Sequence, residues 1–157
     1  ATARTSLQTE ANRRSTKMIH QISRSAELTT LSEFRKYIAL ICSQHPEVDE
    51  NMLYDMQLAV DEACTNIIAH GYKGMNAGSI ILSMEINDDC IEINLTDFGH
   101  AFEPSRSPAP NLDAGLEDRP TGGFGLFFIY QTMDNIDYTT NVYGNRLTFI
   151  KRFNNNV

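Results

Sequence analysis

From Met52 to Ile68 apolar residues return every three or four positions: Met52, Met56, Ala59, Val60, Ala63, Cys64, Ile67 and Ile68. That spacing predicts an amphipathic helix with one face on a core. Asp49 stands where an N-cap belongs, and the helix is expected to end at Gly71 or Gly74. An earlier helix is predicted from a Thr29 or Thr30 cap to about Gln44, with Leu31, Phe34, Ile38, Ile41 and Cys42 on one face and Pro46 as its breaker. The period then changes to two. Residues 80–86 and 91–96 alternate as strands, and Asn87-Asp88-Asp89 between them reads as a hairpin turn. Further strands are expected at 17–23, 136–140 and 146–153, the last two joined around Tyr143-Gly144-Asn145, with a third helix over 125–134. The order β-α-α-β-β-loop-α-β-β predicts an α+β fold, a two-layer sandwich with a mostly antiparallel sheet.

Residues 103–121 break this pattern. They carry four of the five prolines, Pro104, Pro108, Pro110 and Pro120, and read as an irregular loop of the kind that serves as a lid. The first 16 residues are polar without period and read as a flexible tail ahead of one domain over 17–157. At 157 residues and 41% hydrophobic, the chain suits a single domain with a real core.

Thirteen basic against 20 acidic residues leave a net charge of −7, without a basic cluster, which argues against a nucleic-acid partner. The longest apolar runs, 37–42 and 124–130, are too short to span a bilayer, so no membrane role is expected. Cys42, Cys64 and Cys90 fit neither a disulfide framework nor a CxxC metal site; they read as reduced thiols of a cytoplasmic protein.

The chemistry gathers on three segments. Glu62, Asn66 and His70 stand at i, i+4 and i+8. Each four-residue step overshoots a full turn by only about 40°, so the three share one slowly drifting stripe. A helical Asn can give Mg²⁺ an oxygen, and a Glu one turn earlier can orient or deprotonate a nucleophile. Alone, that pair is an ordinary solvated face, and His70 reads as a helix C-cap rather than a metal ligand. Asp97 closes an apolar strand and could accept from an exocyclic amine such as the adenine 6-amino group, with Gly99 leaving room for the ring. Gly122, Gly123 and Gly125 open the third helix, where backbone amides make an anion site. Each signal is weak alone. In this order they describe a nucleotide site.

The three segments resemble the N, G1 and G2 boxes of the GHKL superfamily of ATP-binding domains. Within it, Asp61-Glu62-Ala63-Cys64-Thr65-Asn66…His70-Gly71-Tyr72, Asp97-x-Gly99-x-x-Phe102-x-Pro104, Gly122-Gly123-Phe124-Gly125-Leu126 and Gly144-Asn145-Arg146-Leu147-Thr148-x-x-Lys151 resemble the anti-sigma-factor serine/threonine kinases. The likeness covers about residues 17–153 and implies the GHKL, or Bergerat, ATP-binding fold. It implies ATP and Mg²⁺ as ligands, with Glu62 as the general base and Asn66 holding Mg²⁺. Asp97 and Gly99 would meet adenine, and Gly122, Gly123 and Gly125 would cradle phosphates under the 103–121 lid. Two positions depart from the wider pattern: Ala101 replaces the second glycine of the D-x-G-x-G box, and Asn145 replaces a threonine that often contacts the adenine pocket.

The resemblance further implies a cytoplasmic protein serine/threonine kinase that sequesters a sigma factor or similar regulator. It would phosphorylate a STAS-type anti-anti-sigma antagonist, and relatives of this kind are often homodimers. Two other functions share these boxes: a nucleotide-sensing partner-switch module without phosphotransfer, and the detached catalytic domain of a histidine kinase.

Overall fold

The computed structural model describes residues 18–101 and 129–154. The expected tail, the 103–121 lid, Gly122, Gly123 and Gly125, and the first part of the third helix lie outside the described residues. Chain order runs β1 (Met18–Ser25), α1 (Thr30–Cys42), α2 (Glu50–Asn66), a single wide turn (Ile67–Gly71), β2 (Ser79–Ile86), β3 (Cys90–Asp97), β4 (Asn135–Asn141) and β5 (Gly144–Arg152). Residues 129–132, just before β4, are helical.

The five strands form one sheet in the order β1-β2-β3-β5-β4, and every neighbouring pair is antiparallel. Its inner face carries Ile80, Leu82, Met84, Ile91, Ile93, Leu95 and Phe149, all buried. The inner stripes of the helices, with Phe34 and Ile38 from α1 and Met52, Met56 and Val60 from α2, join them in one cluster. This is the expected α+β two-layer sandwich. The outer face of the sheet is tied by polar groups. Arg146 Nε and Thr148 Oγ1 donate to Asn94 Oδ1 at 3.0 and 2.6 Å, and Asn94 Nδ2 donates to Glu92.

The caps divide. Asp49 Oδ1 accepts from the Met52 amide at 2.8 Å, as an N-cap should. Neither threonine caps α1: Thr29 makes no side-chain cap bond, and Thr30 Oγ1 donates instead to Ser25 O at 2.7 Å, tying the helix start to the end of β1. Strand β1 runs to Ser25, two residues beyond the expected Ser23, because its pairing with β2 continues to Ser79. The last hairpin also differs. Asn141 pairs with Gly144, so the turn is Val142-Tyr143, and Gly144 and Asn145 belong to β5. Asn141 Oδ1 accepts from Tyr143 N at 2.8 Å, a side chain closing the turn. Gly144 adopts φ +134°, and a methyl there would lie 2.8 Å from Asp97 O, so glycine is required on both counts.

The two caps supply a direct comparison. Asp49→Ala should cost about 1 kcal/mol of unfolding free energy. Thr29→Ala should stay within about 0.5 kcal/mol of the parent. Urea midpoints at unchanged slope measure both.

Candidate functional site

The site is built where the end of α2 meets the end of β3. After Asn66 the helix widens by one residue: the Tyr72 amide reaches Ile67 O at 3.2 Å, five positions back. Such π-type turns recur at functional sites. The extra residue rotates everything beyond it, so His70 leaves the stripe predicted from i, i+4, i+8 spacing. His70 is exposed, whereas Gly71 is buried, and a methyl on Gly71 would lie 3.6 Å from Asp97 Oδ1.

Asp97 is 5% exposed. Its Oδ1 accepts from the Gly99 amide and from Asn145 Nδ2, each at 3.0 Å. Among the described residues every hydrogen bond to this carboxylate falls on Oδ1. Asn145, itself 3% exposed, also donates from Nδ2 to Gly99 O at 3.0 Å, and its Oδ1 accepts from Thr140 Oγ1 at 2.7 Å. The result is a polar row across β4, β5 and β3 at one end of the sheet's apolar inner face.

Gly99 has a reason beyond the one expected. A methyl on it would lie 2.3 Å from Gly71 O and 2.5 Å from Gly71 C, so the chain after β3 packs directly on the backbone at the helix end. The His100 amide completes this contact with a 2.6 Å bond to Gly71 O. Tyr72 bolts the same junction. Its hydroxyl donates to Ser79 O at 2.8 Å and accepts from the Phe98 amide at 2.9 Å. A neutral phenol can do both, and burial, the largest cause, pushes its pKa further up. Gly78 leaves space for the Tyr72 ring, which would stand 2.6 Å from a methyl there. Sequence reasoning gave Tyr72 no role; a tyrosine directly after the helix-ending glycine was the only signal.

On α2, Glu62 is half-buried and Asn66 is 9% exposed. Burial first, and then the neighbouring Asp61 carboxylate, raise the Glu62 carboxyl above its ordinary pKa. Asp61 is anchored by Arg35 of α1, with Nη1 2.7 Å from Oδ2, while its Oδ1 is buried without a partner. A carboxyl raised in this way is a stronger proton acceptor than an ordinary glutamate, which suits a general base.

Among the described residues no group of three or more His, Cys, Asp or Glu could hold a metal ion. The Asn66 carboxamide oxygen is a hard donor of the kind Mg²⁺ takes singly, beside phosphate oxygens. A cleft of about 260 Å³ opens on the hairpin side of Asn145, lined by Phe98, Ala101, Thr140, Val142 and Tyr143 among others. Gly99 and Asn145 line it as well, so it adjoins the Asp97 end of the site, while neither Glu62 nor Asn66 lines it. Cys42, Cys64 and Cys90 are free thiols, and burial raises Cys42 to about 11.

The family described as the histidine kinase-like ATPase domain matches residues 24–151. A serine-protein kinase RsbW of Halalkalibacterium halodurans is 36% identical over 87 residues, 53% of this chain and 52% of that protein. One from Bacillus cereus is 36% identical over 86 residues, 52% of this chain and 53% of that protein. The chain thus spans about half the length of the curated relatives it matches. A crystal structure of the RsbU and RsbW domains of a Mycobacterium tuberculosis protein superposes with a TM-score of 0.63 at 14% identity. It covers 87% of this chain and 32% of the other, a likeness of fold.

Two outcomes follow from the geometry. Gly99→Ala must separate β3's exit from Gly71 and should cost about 1–3 kcal/mol, as overpacking against rigid backbone does; a denaturant midpoint at the parental value would contradict this packing. The second concerns Glu62. A carboxyl raised in the folded state contributes stability that is fully present below its unfolded pKa, near 4.3, and lost as pH rises through the folded value. Glu62→Gln should therefore be at least as stable as the parent at pH 7, with the parent gaining on it toward pH 4 in thermal melts.

Proposed function

This chain belongs to the histidine kinase-like ATPase domain family, and from that premise we propose that it is a Mg²⁺-dependent ATP:protein serine/threonine kinase of the anti-sigma type. It acts in the cytoplasm, holding a sigma factor or similar regulator in one state and phosphorylating a STAS-type antagonist. The RsbW names of its relatives support this reading. The observation that carries it is Asp97: a buried carboxylate, beside the end of the helix bearing Glu62 and Asn66, whose described bonds all fall on one oxygen.

In this reading Asp97 Oδ2 accepts from the exocyclic amine of adenine. Asn66 gives its carboxamide oxygen to Mg²⁺, and Gly122, Gly123 and Gly125 meet the phosphates with backbone amides. When bound, Mg²⁺ neutralises charge on the triphosphate and holds it in line. Glu62 takes the proton from a serine or threonine hydroxyl. The hydroxyl oxygen then bonds to the γ-phosphorus as the bond to the β–γ bridging oxygen breaks and ADP leaves. Positioning contributes the larger part, and a general base contributes roughly 10²–10⁴-fold.

The test pairs binding with transfer. Millimolar Mg-ATP or Mg-ADP should raise the melting temperature, as a ligand of the folded state must, and Asn66→Ala should weaken that shift. Glu62→Gln should keep nucleotide binding and lose most phosphate transfer to a co-purified antagonist, roughly 10²-fold or more. No shift with any nucleotide overturns the proposal. Binding without transfer converts it to a partner-switch module, and an acid-labile product converts it to a histidine kinase domain.

A further inference from the structure

We infer that Asn145 is a positioning residue that sets base selectivity: it engages one oxygen of Asp97 and so presents the other to a purine carrying an exocyclic amine. The inference rests on the nucleotide site proposed above. It begins with register. Thr140 of β4 pairs with Asn145 of β5, and Asn145 pairs with Asp97 of β3, so three side chains stand in one row across the sheet. Directly opposed side chains are close enough to bond. They do, in one direction, from Thr140 Oγ1 to Asn145 Oδ1 at 2.7 Å and from Asn145 Nδ2 to Asp97 Oδ1 at 3.0 Å.

The orientation of the amide is dictated by its neighbours. On one side stand three acceptors: Asp97 Oδ1, Gly99 O at 3.0 Å and His100 O at 3.5 Å. Turning the amide over would aim its oxygen at all three and strand a buried carboxylate without that donor. Only the nitrogen can face them, and the Thr140 hydroxyl secures the oxygen on the other side. Asn145 therefore holds Asp97 and the Gly99-His100 backbone together, in the segment where the base would lie.

The consequence is a carboxylate that cannot turn freely. With Oδ1 engaged by Asn145 and by the Gly99 amide, Oδ2 is an acceptor at a fixed place. A 6-amino purine meets it with a donor. A 6-oxo purine meets it with an oxygen, and a held carboxylate has no alternative rotamer to relieve that repulsion. Without Asn145, Asp97 keeps only the Gly99 amide and turns more freely, which weakens the amino base and tolerates the oxo base. Discrimination falls from both sides.

The experiment compares Mg-ADP with Mg-IDP, which differ at the 6-substituent and in the proton that N1 gains with it, by calorimetric titration of the parent, Asn145→Leu, Asn145→Thr and Thr140→Val. Asn145→Leu keeps nearly the same shape without donors. Its ADP-over-IDP preference should fall about tenfold or more, the scale of one hydrogen bond to a charged group. Asn145→Thr retains one donor toward Asp97 and should recover most of the preference. Thr140→Val, at an exposed position, should lower it in the same direction by less. A structural role alone would lower the melting temperature and weaken both nucleotides equally, and that result overturns the inference while the nucleotide site stands. Should Asn145→Leu fail to fold, an unmoved preference in Thr140→Val overturns it equally. A parent that binds neither nucleotide overturns the site itself.

Discussion

Asp97 is a carboxylate at the end of the central strand, on the apolar inner face of the sheet, and a buried charge of this kind is tolerated only where fixed donors meet it. The Gly99 amide and the Asn145 carboxamide are those donors. Around them the chain has little freedom. Asn145 must lie opposite Asp97 in β5, Thr140 must lie behind Asn145, and the residue before Asn145 must be glycine because Asp97 O leaves no room for a methyl. One charge thus constrains three strands and a turn.

The end of α2 packs beside the same carboxylate. Backbone meets backbone between Gly71 and Gly99, and the one-residue widening after Asn66 brings Gly71 rather than His70 to face Asp97. Tyr72 joins β2's start to β3's exit through a single hydroxyl that both donates and accepts. Glycines at 78 and 99 carry the usual entropic cost of glycine. Here that cost is offset by contacts that no side chain would permit.

Helix and sheet divide the proposed chemistry. The helix contributes a glutamate raised by burial and by its acidic neighbour, whose own charge is answered by Arg35 from the adjacent helix. The sheet contributes base recognition, fixed by hydrogen bonds across strands. Beyond the shared core, the site ends of the two halves meet at the tight junction of Gly71, Tyr72 and Gly99. A change at that junction alters how the helix edge stands relative to Asp97.

Much of this was legible in residue order. The periods of 3.6 and 2 identify α1, α2, β2 and β3 with small errors at the ends, because apolar spacing reports directly which face is buried. Asp49 was recognisable as a cap, and Glu62, Asn66 and Asp97 as the polar residues of an apolar helix and strand. Tertiary structure decided the rest. Thr30 serves β1 rather than its own helix, and the hairpin turns at Val142-Tyr143, since strand register depends on pairing partners distant in sequence. His70 leaves the stripe because a wide turn cannot be seen in spacing that assumes a regular helix. Gly99, read in the sequence as room for a ring, also leaves room for the Gly71 backbone, and Asn145, read as a departure from the wider pattern, holds Asp97. Local sequence reports which side of an element is buried; it is silent on which atoms from elsewhere in the chain arrive there, and those contacts form only once the layers close.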